Sequence, residues 1–373
     1  MRLYDETTGR LEPVEIRPKM TIYVCGITPY DAAHLGHAFT YVHFDVLVRY
    51  LRRLGAEVVH VQNVTDIDDD ILRVAKERGV DFRTLAKREV ASFEDSMRAL
   101  HVIPPTHTPR ATEFVPQMIE EVQALLAAGH AYERGGTVYF RVASDPGYGR
   151  LSRLSREEMV KLAAERGGHP EDPKKDDPLD FVLWQACQEG EPWWDSPWGR
   201  GRPGWHIECS TMARRLLGQP VDIHGGGADL IFPHHESEVA QAEGVPGRPL
   251  PFVRHWVHTG TVHMAGEKMS KSLGNLALVH DLLGRHSAEA LREHLLRHHY
   301  RDDWEFDEAD LGRGAETTEG PATRAAFFQA LDVDLATPAA LQVLDRAGRS
   351  NTQAARALLN EGRELLGLSP QSS

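Results

Sequence analysis

Hydrophobic and polar positions follow two alternating periods over the first eighty residues. Residues 21–25 form a short apolar run typical of a buried strand, and a loop follows. Apolar residues then recur at helical spacing over 35–54 and stop at Gly55, which is typical of a helix C-terminus. A second strand, 57–62, precedes a second helix over 66–78. The alternation of strand and helix predicts α/β structure with a doubly wound parallel sheet.

Changes in this pattern divide the chain into four segments. Residues 1–100 contain the first half of the α/β domain. Residues 101–180 have short apolar runs, a glycine-rich stretch and a Lys/Asp-rich link, which predict a connective insertion. Residues 181–303 contain two apolar runs, 221–224 and 252–257, which predict returning core strands. Residues 304–373 lack lysine, and their leucine spacing predicts a short helical bundle, with Thr337 as a helix N-cap before Pro338.

Composition narrows the class of protein. The 373 residues are 41% hydrophobic and 26% charged, as in ordinary globular proteins, and the formal net charge of −13 lowers the expectation of a large RNA footprint. No apolar run is long enough to span a membrane, and the charged N-terminus is unlike a signal peptide. We therefore expect a cytoplasmic monomer with no membrane partner. Three cysteines are too few for a disulfide framework, which leaves burial or metal binding.

Two short motifs predict nucleotide chemistry. His34 and His37 lie in HLGH, which follows a strand and loop and opens a helix, where backbone N–H groups bind anions. On its own this motif is equally compatible with two solvated histidines. Lys268 and Lys271 lie in KMSKS, a glycine-flanked loop from which both can neutralise charge on a triphosphate. The pair resembles the class I aminoacyl-tRNA synthetases, which implies a Rossmann-like fold, a KMSKS loop in 181–303 and attack of a carboxylate on ATP.

Four further residues have the chemistry of a metal shell. Cys25 ends the first predicted strand, Cys209 lies in WHIEC, and His234 and Glu238 are four apart on a predicted helix, so they share a face. Each residue alone has a plainer interpretation, because a single cysteine is usually core and a lone helical histidine is usually not a ligand. The spacing therefore leaves both interpretations open.

Longer segments extend the resemblance over residues 2–368. The segments CGITPYDAAHLGHAFTY, NVTDIDDD, GRPGWHIECS, DIHGGGADLIFPHHESEVAQAE and KMSKSLGN are together similar to cysteinyl-tRNA synthetase and its paralogue, the mycothiol-pathway cysteine ligase. The resemblance implies ATP with Mg²⁺, L-cysteine as the amino acid, and one Zn²⁺ held by Cys25, Cys209 and His234. Such a metal would select cysteine by its soft thiolate. Glu238 matches the fourth ligand of the synthetases, whereas the ligases have no acid there.

The same resemblance implies a pocket for cysteinyl-adenylate. Its matching positions are Gly26, Ile27, Thr28, Thr40, Asn63, Val64, Thr65, Trp205, Gly227, Ala228, Asp229 and Val262. Physically, the glycines at 225–227 allow close backbone approach, and Asp229 can accept hydrogen bonds from ribose hydroxyls. The aspartates between residues 66 and 70 suggest Mg²⁺, but we favour acids in the first turn of a helix.

The acceptor of the cysteinyl group is the open question. ERGGHP at 165–170 resembles the ERGGDP motif of the mycothiol ligases, with His169 in place of Asp, and Pro29 also fits the ligases. The 101 residues after the KMSKS motif are fewer than the tRNA synthetases carry. Glu238 and His224 are more synthetase-like. The sequence favours the amine of glucosaminyl-inositol, an amino-sugar acceptor. Charging of tRNA, another amine acceptor and a non-catalytic adenylate-binding module are the alternatives.

Overall fold

Helices and strands alternate along most of the chain in a computed structural model that describes residues 1–269, 274–312 and 319–369. The strands are β1 Arg2–Asp5, β2 Arg10–Pro13, β3 Lys19–Ile27, β4 Glu57–Val64, β5 Ala131–Arg134, β6 Thr137–Phe140, β7 Phe181–Ala186, β8 Gly201–Pro203, β9 Val221–Gly227, β10 Val253–Thr259, β11 Val262–Met264, β12 Glu267–Lys268 and β13 Trp304–Glu305. The helices are α1 Leu35–Arg53, α2 Asp69–Arg78, α3 Phe82–Ala99, α4 Val115–Ala127, α5 Arg156–Glu165, α6 Trp205–Leu217, α7 Glu236–Glu243, α8 Val279–Leu283, α9 Ala288–Leu296, α10 Arg324–Asp332, α11 Thr337–Gly348 and α12 Gln353–Leu365.

The central sheet is parallel, with its strands in the order β10, β9, β3 and β4. Ile22 of β3 lies opposite Ile223 of β9 and His60 of β4. Helix α1 connects β3 to β4 and buries Phe39 and Leu51 completely. Parallel strands need such crossovers and are covered on both faces, which explains their apolar runs in the sequence. The predicted doubly wound parallel sheet is confirmed.

The insertion contains its own antiparallel sheet, in the order β5, β6, β7 and β8. Trp184 of β7 is fully buried and pairs with Val138 of β6 and Pro203 of β8. This sheet therefore extends to residue 203, beyond the boundary placed at residue 180 from the sequence. The apolar run of β7 has the same appearance as a strand of the parallel sheet, so its pattern could not show which sheet it joins.

The C-terminal helices α10, α11 and α12 pack on one another and share a hydrophobic core with α1 and α9. The prediction that Thr337 caps α11 is wrong, because the N-cap is Ala336 and Thr337 is the first helical residue. Thr337 is fully buried, and its hydroxyl lies 3.4 Å from Nε2 of His43. The side chain is used in the core and does not bond to the start of the helix.

A buried arginine joins these helices to the first half of the chain. Arg292 of α9 is fully buried. Its Nε donates to the carbonyl oxygen of Leu366 at 2.7 Å, and its Nη1 donates to that of Leu100 at 2.7 Å. Its Nη2 donates to the buried carboxylate of Asp45 in α1. The charge is therefore paired and its donors are used, as burial of a guanidinium requires.

Candidate active site and metal centre

The HLGH motif lies where β3 passes into α1, at the carboxyl edge of the parallel sheet. The rings of His34 and His37 are stacked with centroids 3.8 Å apart, and the backbone N–H of His34 donates to Nδ1 of His37 at 3.3 Å. A Cβ at Gly36 would lie 3.0 Å from the His34 ring, so a larger residue would fit only if that ring moved. The two histidines thus lie together at the start of α1, the end of a helix that favours negative charge.

The segments on either side of the KMSKS loop are fixed to neighbouring backbone. Lys268 ends β12 and pairs with His263 of β11. After the loop, the backbone N–H of Val279 donates to the carbonyl oxygen of Ala33, and that of Leu35 donates to Ala277, both at 2.9 Å. The segment that follows the loop therefore lies beside HLGH. Lys271 lies outside the described residues.

A cleft of about 1230 Å³ opens between the sheet edge and the insertion. Of the residues that the sequence assigned to metal, nucleotide or catalysis, its walls contain Cys25, Gly26, Ile27, Thr28, His34, His37, Thr40, Trp205, Gly227, Ala228, Asp229 and Val262. The volume exceeds the range of about 300–1,000 Å³ usual for one small-molecule ligand. The cleft therefore has room for an adenylate and for part of a second substrate.

Asn63, Val64 and Thr65 do not line this cleft and lie behind its wall. Asn63 Oδ1 accepts a hydrogen bond from the backbone N–H of Gly26 at 2.8 Å, and its Nδ2 donates to the Thr65 hydroxyl at 3.1 Å. A Cβ at Gly26 would lie 1.6 Å from the Asn63 carbonyl oxygen, so only glycine fits. These residues shape the loop beside Cys25 from behind.

The four predicted metal ligands converge at the bottom of the cleft. One ligand atom from each of Cys25, Cys209, His234 and Glu238 lies within 4.8 Å of the others, and all four residues are buried. His234 precedes α7 in a short helical turn, 231–235, and its Nε2 lies 3.2 Å from Oε1 of Glu238. On its other side, its Nδ1 lies 3.0 Å from Nδ1 of His206. The second contact fixes the ring so that Nε2 faces the thiols.

The electrostatics of this cluster favour a bound cation. Burial raises the pKa of the Glu238 carboxyl and, together with neighbouring Cys209, that of the Cys25 thiol. Burial also lowers the pKa of the His234 imidazole, which keeps it neutral. Two thiols, a neutral imidazole and a carboxyl are the donor set that zinc prefers, and a divalent cation would stabilise the thiolate and carboxylate forms. The residues present therefore fit a zinc ion.

Two histidines of this region were not assigned from the sequence. His224 Nε2 lies 3.0 Å from Oε2 of Glu238, and His235 Nε2 lies 3.2 Å from the Cys25 sulfur. With Cys25 and Glu238 they form a second set of donors within 4.8 Å. The sequence offered one signal for each: His224 lies in the predicted strand DIHGGG, and His235 follows another histidine in FPHHE. Both were ambiguous, because the chain has 20 histidines.

The insertion closes the cleft with the segment 165–170. Arg166 Nη1 donates to the backbone carbonyl oxygens of Asp229 and Phe232, which flank the turn leading to His234. Farther along, Lys175 Nζ donates to the carbonyl oxygen of Gly168. Burial, with the nearby charge of Lys175, lowers the pKa of His206 to about 3. The insertion thus contacts both the predicted nucleoside segment and the predicted metal segment.

The acidic run before α2 acts as a helix start. Asp68 is the N-cap, and its carboxylate accepts from the backbone N–H of Ile71 at 2.9 Å. Asp69 pairs with Arg202 and Asp70 with Arg73. Asp66 accepts from both the backbone and the hydroxyl of Thr112. These partners agree with the preference for acids in the first turn over a Mg²⁺ site.

This arrangement defines a class I synthetase catalytic domain, with HLGH at the start of a helix on a parallel sheet and the segment after KMSKS paired beside it. Residues 12–316 match the family described as tRNA synthetases class I (C) catalytic domain, and the chain belongs to this family. The prediction of a cysteine ligase of the class I synthetase type is confirmed at this level.

Two kinds of relative are similar to the chain at nearly equal identity. The L-cysteine:1D-myo-inositol 2-amino-2-deoxy-alpha-D-glucopyranoside ligase of Thermomonospora curvata is 46% identical over 360 residues, covering 93% of this chain and 87% of the relative. The cysteine–tRNA ligase of Dehalococcoides mccartyi is 45% identical over 372 residues, covering 94% and 80%.

A solved structure supports the fold. Methionyl-tRNA synthetase of Mycobacterium tuberculosis, in complex with methionyl-adenylate, aligns with a TM-score of 0.63 and 18% identity over 94% of this chain and 90% of that one. Within the described residues, no helix combines the length and apolar character needed to cross a membrane.

Proposed function

We propose that this protein activates L-cysteine with ATP and transfers the cysteinyl group to the amine of glucosaminyl-inositol. The observation that supports this acceptor most directly is the position of the ERGGHP segment. Arg166, Gly167, Gly168 and His169 line the same cleft as His34 and His37. The segment that resembles the mycothiol ligases therefore borders the space that a second substrate would enter.

The charge of the cleft supports the same acceptor. Among its described lining residues, nine are aspartates or glutamates and four are lysines or arginines. An excess of negative charge attracts the ammonium form of an amino sugar. The C-terminal segment 304–373 adds 11 acidic residues, 6 arginines and no lysine, which makes it a poor surface for RNA.

The chain's own residues supply the steps of adenylate formation. His34 and His37, at the start of α1, would donate to phosphate oxygens, and Asp229 would accept from ribose hydroxyls. Lys268 and Lys271 would neutralise the charge that develops on the phosphates as pyrophosphate leaves. We expect Lys271→Ala to slow cysteine-dependent ATP–pyrophosphate exchange by roughly a hundredfold with little effect on cysteine binding.

Cys25, Cys209 and His234 would hold a zinc ion, with Glu238 as a fourth ligand that the incoming substrate could replace. When bound, zinc supplies a soft coordination position for the thiolate of cysteine, which serine and alanine lack. Cys25 is the ligand that also lines the cleft, so the amino acid would reach the metal from that side. Trp205 stacks on His234 at 4.2 Å and covers the ligand toward the cleft.

The decisive experiment gives purified enzyme ATP, cysteine and either glucosaminyl-inositol or tRNA, and follows AMP and the cysteinylated product. We expect turnover with the amino sugar and little with tRNA. The relatives include a cysteine–tRNA ligase, which makes tRNA charging the second candidate. Efficient charging of tRNA without turnover of the amino sugar would establish that alternative. The cytoplasmic location and the monomeric state stay predictions.

A further inference from the structure

The transfer step needs a group that takes a proton from the nucleophile, and one lysine of the insertion lines the cleft beside the segment 165–170. Lys175 lies half-buried in the cleft wall, and its Nζ donates to the carbonyl oxygen of Gly168. Its charge acts on His206, which contacts His234 at 3.0 Å. The side chain therefore lies beside the segment 165–170, which borders the space proposed for the acceptor amine.

Other titratable groups at this end of the cleft have their lone pairs engaged. His206 Nδ1 faces His234. Asp172 accepts from the Tyr139 hydroxyl at 2.8 Å, and Asp180 accepts from the Tyr132 hydroxyl at 2.7 Å. Each of these carboxylates also accepts from a backbone N–H group, that of Lys174 at 2.9 Å and that of Val142 at 2.8 Å. These donors help to lower the pKa of Asp172. At Asp180 burial outweighs the donors and raises the pKa, so it is the occupation of both its oxygens that counts against it as the base.

His169 is the remaining candidate for the base. It is a histidine of the insertion that lines the cleft, and it lies at the outer rim. Its side chain is 76% exposed and lies 3.5 Å from Glu171. Lys175 lies deeper, and burial lowers its pKa. The charged and titratable groups that face it are Glu171, Asp172, Asp180 and His206. A partly desolvated lysine of this kind is a usual form of general base.

We propose that Lys175 is a further catalytic residue, which accepts the proton that the nucleophile loses as it attacks the cysteinyl adenylate. This inference rests on the proposed function. The amine nitrogen forms a bond to the carbonyl carbon, and the bond from that carbon to the phosphate oxygen breaks. AMP leaves with the electron pair, and the proton moves from the amine to Nζ of Lys175, which acts in its uncharged amine form. The products are the amide, AMP and a protonated lysine, so atoms and charge balance.

The test separates the two half-reactions in the full-length enzyme. We compare Lys175→Met and Lys175→Arg with wild type, because arginine keeps the charge and a donor for Gly168 but cannot act as a base. Lys161→Met is the matched control, since Lys161 is an exposed lysine on α5 outside the cleft lining. Cysteine-dependent ATP–pyrophosphate exchange reports adenylate formation, and single-turnover transfer to glucosaminyl-inositol reports the second step.

Both Lys175 variants should keep exchange within about twofold and lose about a hundredfold or more in transfer at neutral pH. The defect should shrink as the pH rises toward about 9, because the amine then arrives deprotonated in solution. Transfer by Lys175→Arg at the wild-type rate, or a defect independent of pH, overturns the role. So does a similar pH-dependent loss in His169→Gln with normal transfer in Lys175→Met.

The acceptor does not decide the outcome for Lys175. If the wild-type enzyme transfers only to tRNA, the proposed function fails, and the same variants are compared in transfer to the tRNA hydroxyl. A normal single-turnover rate there overturns the role of Lys175 as well. An enzyme that makes the adenylate and transfers it to neither acceptor overturns both proposals.

Discussion

Cys209 illustrates how one side chain combines core packing with chemistry. It is almost completely buried in α6, as an ordinary core cysteine would be, yet its sulfur lies among Cys25, His234 and Glu238. The sequence could not distinguish these uses, because both place a cysteine on the inner face of a helix. The structure shows three further metal-ligand donors beside the Cys209 sulfur, which an ordinary core cysteine does not need.

Replacing Cys209 with serine should remove metal and cysteine binding together. A hydroxyl is a poor ligand for zinc, so we expect metal affinity to fall by at least about a hundredfold and the KM for cysteine to rise in parallel. Metal analysis of the purified variant and exchange assays provide the measurements.

Cys187→Ser is the control for this change, because Cys187 is only partly buried and lies outside the cluster. It should keep one zinc per chain and normal activity. A Cys209→Ser enzyme that lacks metal but has full activity would contradict the assignment.

Residue patterns predicted the positions of most donors but not their supporting contacts. Cys25, His34 and His37 were identifiable because a motif places each at the edge of a strand or helix. Asn63 was expected in the pocket, and the structure instead places it behind Gly26. His235 was not singled out, since its importance depends on contacts between β3, β9 and α7 that no local spacing records.

At the level of elements, α2 shows how strongly a polar cluster depends on its context. The helix begins at Asp69 and not at Asp66, because Asp68 has extended backbone dihedrals and caps the first turn. Burial raises the pKa of Asp68 to about 6. Asp68 therefore stabilises the helix start partly through the hydrogen bond that it accepts from Ile71, and not only through its charge.

Substitutions at Asp68 can separate capping from metal binding. Asp68→Ala should lower the free energy of unfolding by about 1 kcal/mol, and Asp68→Asn should be nearly neutral, because asparagine is an equally good N-cap. Neither change should shift the Mg²⁺ concentration that supports half-maximal exchange. A higher Mg²⁺ requirement in Asp68→Asn, measured by titration, would show that the carboxylate binds the ion.

The contact of α5 with the catalytic half gives a second prediction at this scale. Arg166→Met removes donors to the Asp229 and Phe232 carbonyl oxygens. We expect the KM values for ATP and cysteine to rise about tenfold, with a smaller change in kcat, because the two segments lose a shared support.

Arg156→Met is the matched control at the start of α5, the helix that ends just before Arg166. Arg156 pairs with Asp177 on the exposed side of α5. It should leave both KM values unchanged. If Arg166→Met changes only the melting temperature and leaves KM intact, Arg166 has a purely structural role.

Element types were more predictable than their partners. The strand at 21–25 and the helix at 35–54 appear as β3 and α1 with small changes at the ends. The antiparallel sheet of the insertion could not be derived, because the pairing of Trp184 with Val138 joins residues far apart in sequence. Periodicity reports which face of a strand is buried but not which strand lies next to it.

For the molecule as a whole, buried histidines make stability depend on pH. Burial lowers the pKa of His43 and of His60 to about 4. In the unfolded chain their pKa values return to about 6.5, so the unfolded state binds more protons between about pH 4 and 6.5. Stability is therefore lost as the pH falls through this window.

As the pH falls from 7 to 5, protonation of each of these histidines in the unfolded chain should lower the free energy of unfolding by about 2 kcal/mol. Urea unfolding at the two pH values measures the effect. His60→Gln should show a smaller loss than wild type, whatever its stability at pH 7. His280→Gln, at an exposed position, should keep the full wild-type dependence. An unchanged pH dependence in His60→Gln would mean that His60 is not the titrating group.

Arg292 has a consequence for recombination between relatives of this family. Its guanidinium serves carbonyl groups at Leu100 and Leu366 together with the carboxylate of Asp45. A chimera that takes its last helices from a relative inherits the carbonyl at 366 only if the donor's backbone follows the same path. Crossovers between residues 45 and 366 therefore separate Arg292 from at least one of its partners, and an unmatched junction leaves a buried cation short of acceptors. The C-terminal helices are exchangeable only along with α9 and its partners, so gene shuffling should recover functional crossovers outside this interval.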